Sequence, residues 1–223
     1  MAAAAKLYYF EGRGRAEQIR WLLAATGVAF TNEVLSNQEE FNTVAAERCL
    51  FAQVPLLVLD GRELVQTQAI LRHLARRGGM AGVSEEERTA ADTAAEGVAD
   101  FRAAVLSLPF SGNTEACQRT IERYAPVFEK LLGGLLGTGY VAGGAEMTYA
   151  DVLLAEACFS YGELFGQSFL RTNGFEKLAT LVDSVVQLPG VAAYLRSELR
   201  YPLPAPGSAV GDAYVKAVRT CLA

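Results

Sequence analysis

Two rhythms of apolar and polar positions run along this chain, and the change from one to the other divides it. Residues 7–10 (Leu-Tyr-Tyr-Phe) form a short aromatic run that predicts a strand. Ile19, Leu22 and Leu23 then recur at helical spacing, with Gly27 where a C-terminal stop is expected. Residues 30–35 predict a second strand. Residues 37–46 are polar, with Phe41 and Val44 on one side, and predict a short helix. Gln53-Val54-Pro55 leads into the continuous apolar run at residues 56–59, which predicts a buried strand. Asp60-Gly61 is a hairpin signal, and residues 63–65 return as the partner strand. Thr67 is the expected N-cap of a helix through residues 69–74. The order βαβαββα is complete by Gly78-Gly79.

Beyond the glycine-rich residues 78–83 the pattern is helical throughout. Residues 84–87 (Ser-Glu-Glu-Glu) predict a capping box that opens a long helix, expected to end at Pro109. A second helix spans residues 114–132 and stops at Gly133-Gly134. Residues 148–151 (Thr-Tyr-Ala-Asp) open a third, and further helices are expected at residues 174–186 and 191–199. Pro202, Pro204 and Pro206 impose an extended segment. Residues 212–222 then predict a last short helix capped by Asp212, with Tyr214, Val218 and Leu222 on one stripe. The resulting division is an α/β domain at residues 1–80 and an all-α domain at residues 84–223.

Composition narrows the function classes. Of 223 residues, 51% are apolar and 20% charged, the profile of a soluble globular protein. The net charge of −5, with no basic run, argues against nucleic acid as a partner. No apolar run approaches a membrane-spanning length, and residues 1–5 lack the pattern of a signal peptide. Cys49, Cys117, Cys158 and Cys221 are far apart, and with the single His73 they offer no metal-ligand spacing. Reduced thiols in a cytoplasmic protein are expected.

The chemistry concentrates where the first strand meets the first helix. Tyr8, Tyr9, Arg13 and Arg15 place phenols and guanidiniums beside a helix N-terminus, a combination suited to holding an anion such as a thiolate or carboxylate. Strand alternation puts Leu7 and Tyr9 on one face and Tyr8 and Phe10 on the other, so only one tyrosine can serve.

Several separated motifs carry a wider resemblance: Tyr9-Phe10 with Arg13-Gly14-Arg15; residues 20–25 (Arg-Trp-Leu-Leu-Ala-Ala); residues 51–55 (Phe-Ala-Gln-Val-Pro); and residues 64–71 (Leu-Val-Gln-Thr-Gln-Ala-Ile-Leu). The helical half adds residues 96–100 (Glu-Gly-Val-Ala-Asp), Arg123-Tyr124 with residues 128–130, and the box at residues 148–151. In this order and spacing the chain resembles the cytosolic glutathione transferases of the tyrosine type, alpha class most closely, over nearly its whole length.

The resemblance implies a thioredoxin-like domain that binds glutathione and an all-helical domain that supplies the acceptor pocket. A free thiol titrates near pH 8.5, and lowering its pKa by two units takes about 2.7 kcal/mol of preferential thiolate stabilisation. By the family pattern, in which the catalytic tyrosine directly precedes Phe, that donor is Tyr9, with Arg15 in support; Tyr8 is assigned to packing and Arg13 to structure. Glutathione is then expected to meet Gln53, Val54 (before a cis Pro55), Gln66 and Thr67, together with Asp100 from a partner subunit and Arg123 nearby. The family's basic residue for the glycyl carboxylate is replaced here by Val44, so Arg48 becomes the candidate. Phe10, Ser107, Leu108, Phe110, Tyr214 and Val218 are the expected acceptor pocket. A homodimer keyed by Phe51 is implied, with small hydrophobic electrophiles as substrates, peroxidase or isomerase side activities, and no metal. The competing class is a non-catalytic carrier of hydrophobic ligands, or a structural protein, on the same fold. A thiol–disulfide oxidoreductase fits poorly, because the first strand-to-helix turn has no cysteine.

Overall fold

A computed structural model describes residues 4–134 and 139–222. The first strand, β1 (Ala5–Phe10), leads through a 3-10 turn (Gly14–Ala16) into α1 (Glu17–Ala25). β2 (Phe30–Leu35), α2 (Gln38–Arg48), β3 (Leu56–Leu59), β4 (Arg62–Val65) and α3 (Thr67–Arg77) follow, in the expected βαβαββα order. The sheet order is β2-β1-β3-β4. β1 pairs in parallel with β2, as a helical crossover requires, and antiparallel with β3, where Leu7 lies opposite Leu57. The β3–β4 hairpin closes on Asp60 and Gly61, both at positive φ (50° and 74°), the conformation for which an Asp-Gly pair is suited. The fold is thus a thioredoxin-like unit with a mixed four-stranded sheet.

The helical half comprises α4 (Glu85–Ser111), α5 (Thr114–Leu132), α6 (Tyr149–Phe165), α7 (Phe169–Thr172), α8 (Glu176–Val186), α9 (Pro189–Leu195) and α10 (Ala209–Leu222). α6 is its axis, buried along most of its length. One continuous apolar core joins the halves, running from Leu7 and Ile19 through Leu71 to Phe101 and Leu153. A smaller cluster of Leu35, Val44, Cys49 and Leu56 includes Tyr8 at its edge. Tyr8 therefore packs, as expected, away from Tyr9.

Several boundaries differ from the sequence pattern. α3 begins at Thr67 itself, with Gln66 rather than Thr67 at the N-cap and no side-chain cap. α4 continues through Pro109 to Ser111, because burial of Leu108 and a left-handed Gly112, whose N–H donates to the Leu108 carbonyl (2.9 Å), outweigh one missing bond. α10 begins at Ala209 rather than at an Asp212 cap; the Ser208 hydroxyl instead accepts from the Gly211 N–H at 3.0 Å. α9 ends at Leu195, and the short α7 had no periodic signal to announce it. Among the described residues no single helix is long and apolar enough to cross a membrane.

The start of α6 depends on Asp151, which is fully buried and accepts from the N–H groups of Val141 and Thr148 and from the Thr148 hydroxyl, each at 2.8 Å. Replacing it strands buried donors at the head of the central helix. Asp151→Ala is expected to cost about 2–4 kcal/mol of stability. Urea unfolding with an unchanged m-value measures it, and a midpoint equal to wild type refutes it.

Candidate active site

A cavity of about 670 Å³ opens at the C-terminal end of β1, lined by Tyr9, Phe10, Arg15, Gln53, Val54 and Thr67, with Pro55, Gln66, Phe41 and Leu222 also on its wall. Each element delivers its residue for a local reason. Tyr9, at the end of β1, is 6% exposed, so its ring is fixed in the core while the residue forms part of the cavity lining. The turn that follows brings the Arg15 N–H to 3.0 Å from the Tyr9 oxygen, and that N–H donates to it. Gly14 makes this approach possible: its φ is +41°, and a Cβ there would lie 2.4 Å from the hydroxyls of both Tyr9 and Tyr214.

On the opposite wall the Val54–Pro55 bond is cis. Gln66 stands at the head of α3 with φ +67°, a conformation that costs a non-glycine residue about 1–3 kcal/mol and is typical of functional loops. The positive end of the α3 dipole therefore faces the cavity through Gln66 and Thr67, a setting for a carboxylate. The Gln66 amide donates weakly to Gln53 (3.5 Å).

Tyr9, Phe10, Arg15, Gln53, Val54, Pro55, Gln66 and Thr67 thus come together, and the remaining candidates lie elsewhere. Arg48 stands 2.7 Å from Glu63 and 4.6 Å from the centre of the Tyr8 ring, outside the cavity wall. Val44, at the position of the missing cation, is buried. Asp100 on α4 and Arg123 on α5 are on the helical surface; Asp100 accepts from the Tyr124 hydroxyl at 3.4 Å, and Arg123 lies over the Tyr124 ring at 5.0 Å. Arg13 is buried against Glu163 (2.5 Å) and the Tyr201 carbonyl (2.7 Å), a structural setting.

Of the expected acceptor residues, only Phe10 lines the main cavity. Tyr214 is 5% exposed and its ring packs over Gly12; the Phe110 ring meets it at 5.8 Å. Burial, and then the neighbouring Tyr9, push the Tyr214 phenol up, so it stays a neutral donor. Val218 is buried and Leu108 fully so, whereas Ser107 is exposed and donates to the Ala104 carbonyl (3.1 Å).

Phe41, Gln68 and Leu222 in the cavity wall had no chemical signature in the sequence. Two buried cations behind the turn did: Arg20 donates to the Gly12 carbonyl (3.0 Å) and Arg102 to the Gly14 carbonyl (2.8 Å). Their signal is a charge set into an apolar helical stripe, such as Val98, Phe101, Arg102, Val105.

All four cysteines are buried and unpaired; burial pushes Cys117 up to about 11 and raises the other three. None is a usable nucleophile at neutral pH. Among the described residues no cluster of His, Cys, Asp and Glu is placed to hold a metal.

A buried phenol at the end of the first strand of a thioredoxin-like unit, beside a helix N-terminus and backed by a helical bundle, is the arrangement expected of the glutathione transferase class. Residues 5–76 match the family model for the glutathione S-transferase N-terminal domain, and residues 99–198 that for the C-terminal domain. The sequence is 35% identical to glutathione S-transferase alpha-4 of Rattus norvegicus over 230 residues, taking in 100% of this chain and 99% of that one. It is 36% identical to glutathione S-transferase A3 of Homo sapiens over 96% of this chain and 97% of that protein. A Pi-class glutathione S-transferase of Onchocerca volvulus, known by its structure, superposes with a TM-score of 0.74 at 29% identity, over 86% and 92% of the two chains. The chain belongs to the glutathione S-transferase family, with alpha-class enzymes among its relatives.

The placement of Arg48 can be tested directly. Arg48→Ala is expected to leave the KM for glutathione within about twofold of wild type and to cost no more than about 1 kcal/mol of stability, as for an exposed ion pair. A KM raised tenfold or more would put this guanidinium on the glycyl carboxylate.

Proposed function

We propose that this protein conjugates glutathione to small hydrophobic electrophiles, with Tyr9 as the residue that stabilises the attacking thiolate. One observation carries the reading: Tyr9 lines the cavity at the end of β1 and its oxygen accepts the Arg15 N–H at 3.0 Å, a bond that makes the phenol a better donor to a sulfur seated there. In this reading the thiol proton goes to solvent and the sulfur keeps its electron pair. That pair forms a C–S bond to the electrophilic carbon, while the displaced pair leaves with the departing group or enters a conjugated carbonyl that then takes a proton from water. Arg15 adds positive charge at the same end of the cavity. The assembled phenol site favours an enzyme over a non-catalytic carrier of the same fold.

Glutathione itself fits the polar wall. Val54 offers backbone groups to the cysteinyl unit as an added strand would, and Gln53 lies beside it. Gln66, Thr67 and the α3 N-terminus suit the γ-glutamyl carboxylate. Residues 1–80 serve as the glutathione domain and residues 84–223 supply the acceptor side, where the Phe110 and Tyr214 rings meet and Leu222 reaches the cavity wall. Four reduced cysteines suit a cytoplasmic protein, and a detoxifying role follows from the substrate class.

A homodimer is part of the reading. Phe51 is 58% exposed, an unusual position for a phenylalanine. An apolar groove of about 560 Å³ runs between α4 and α5, lined by Ala94, Gly97, Tyr124, Val127, Phe128 and Leu131. We assign the groove to Phe51 of a second copy, so that each ring fills the other's groove about a two-fold axis. Asp100, one turn along α4 from Gly97, then approaches the γ-glutamyl amine of the neighbour's glutathione, with Arg123 close by.

Two measurements test these statements. Tyr9→Phe is expected to lower turnover at pH 7 by about tenfold or more while glutathione binding stays within a few-fold; a larger loss from Tyr8→Phe would refute the assignment. Phe51→Asp is expected to shift the light-scattering mass from twice 23.9 kDa to a single chain and to weaken glutathione binding. A wild-type monomer with full activity would exclude the shared site.

A further inference from the structure

Arg102 and Glu156 form a buried ion pair between α4 and α6, with Nε to Oε2 at 2.7 Å and Nη2 to Oε1 at 3.3 Å. Glu156 also accepts from the Ser160 hydroxyl at 3.1 Å. A buried pair is poor value as a stabiliser, since apolar residues of similar size often do as well. The third contact of Arg102 shows what this pair holds. Nη2 donates to the carbonyl of Gly14 at 2.8 Å, and the N–H of the same planar amide, that of Arg15, donates to the Tyr9 oxygen at 3.0 Å.

We propose that Arg102 is a positioning residue for the thiolate site, acting through the Gly14–Arg15 peptide to strengthen the hydrogen bond that Tyr9 gives to sulfur. This rests on the glutathione-transferase reading above. A cation on the carbonyl polarises the amide and makes its N–H a stronger donor; a phenol oxygen that accepts a stronger bond holds its own proton less tightly and donates it better. In a site shielded from water such chained bonds reinforce one another by roughly 10–30% each. The line runs from Glu156 through Arg102, the peptide and Tyr9 to the thiolate, so it couples the helical half to the chemistry. It also sets orientation: with Gly14 at φ +41°, the amide is pinned at its oxygen from one side and at its nitrogen from the other. Among the described residues, the other charged or titratable groups facing this peptide and its clamp include Glu17 and Arg20 of α1, Arg13 with its partner Glu163, Arg15 on the turn and Tyr214 of α10, with Tyr161 of α6 near Arg102.

The test follows the thiol of bound glutathione by its ultraviolet thiolate absorbance as pH is raised. Arg102→Met combined with Glu156→Gln removes the donor without leaving a buried charge unpaired. The apparent thiol pKa is expected to rise by about half a unit to one unit, and kcat/KM at pH 7 to fall about three- to tenfold, converging with wild type at high pH. KM for glutathione is expected to stay within about twofold, a split that loss of structure would not give. Arg102→Lys, whose single ammonium cannot serve Glu156 and Gly14 in the same fork, is expected to lie between wild type and the double variant. In nitrogen-15-labelled protein its Arg15 amide proton should move upfield. A folded double variant that titrates like wild type overturns the proposal. Should the double variant not fold, unchanged thiol titration and an unchanged Arg15 amide in Arg102→Lys overturn it instead. A wild-type protein that forms no glutathione thiolate at neutral pH would overturn the parent reading; a wild type that does, with variants that match it, removes only the role of Arg102.

Discussion

The hydrogen bond between the Arg15 N–H and the Tyr9 oxygen is the contact on which the geometry of the candidate site depends. It exists only because a turn of residues 12–16 folds tightly back on the strand it leaves. That turn has little of its own to hold it. Its carbonyls at positions 12 and 14 point into the protein, where they would be costly if unpaired, and each receives a buried guanidinium. Arg20 reaches one from α1 and Arg102 the other from α4. The active-site turn is therefore clamped by the two halves of the chain together.

The same joint explains the polar groups inside the interface. Glu17, 1% exposed, accepts from Trp21 (3.2 Å), Tyr194 (2.9 Å) and Arg20 (3.2 Å), so one carboxylate ties α1 to α9 and to the turn. Arg13 does similar work from the other side through Glu163 and the Tyr201 carbonyl. Each charge is paired and hydrogen-bonded, the condition under which burial is tolerated. Such a network specifies one relative placement of sheet and helices, which apolar contacts alone would leave looser.

The cavity is asymmetric. Its polar wall is built largely of backbone and amides, with Arg15 as the one charged side chain among the described residues that line it. In the proposed reading, a dianionic tripeptide bound there relies on the α3 dipole, on hydrogen bonds and on what a second copy adds. Opposite stands α10, whose Tyr214 fills the space over Gly12 and whose Leu222 reaches the cavity edge. That side of the cavity is thus shaped by a terminal helix, packed on α2, α4 and β1, rather than by the bundle alone.

Much of this was legible in the chain itself. The βαβαββα order, the hairpin at Asp60-Gly61 and the capped start of α6 followed from local periodicity and turn chemistry, which act over a few residues. Alternation along the strand, also a local property, separated Tyr8 from Tyr9 without choosing between them; the choice of Tyr9 came from the family resemblance. Helix ends were less legible: α4 runs past Pro109 because Leu108 is buried by partners distant in sequence. The same limit applies to the charges. Whether Arg48 faces the cavity or Glu63, whether Arg102 finds Glu156 and Gly14, and whether Tyr214 lies over Gly12 are contacts across 15, 54, 88 and some 200 residues. No periodic pattern encodes such pairings. They are decided when the halves close on one core and each buried charge must take the partner that the packing brings to it.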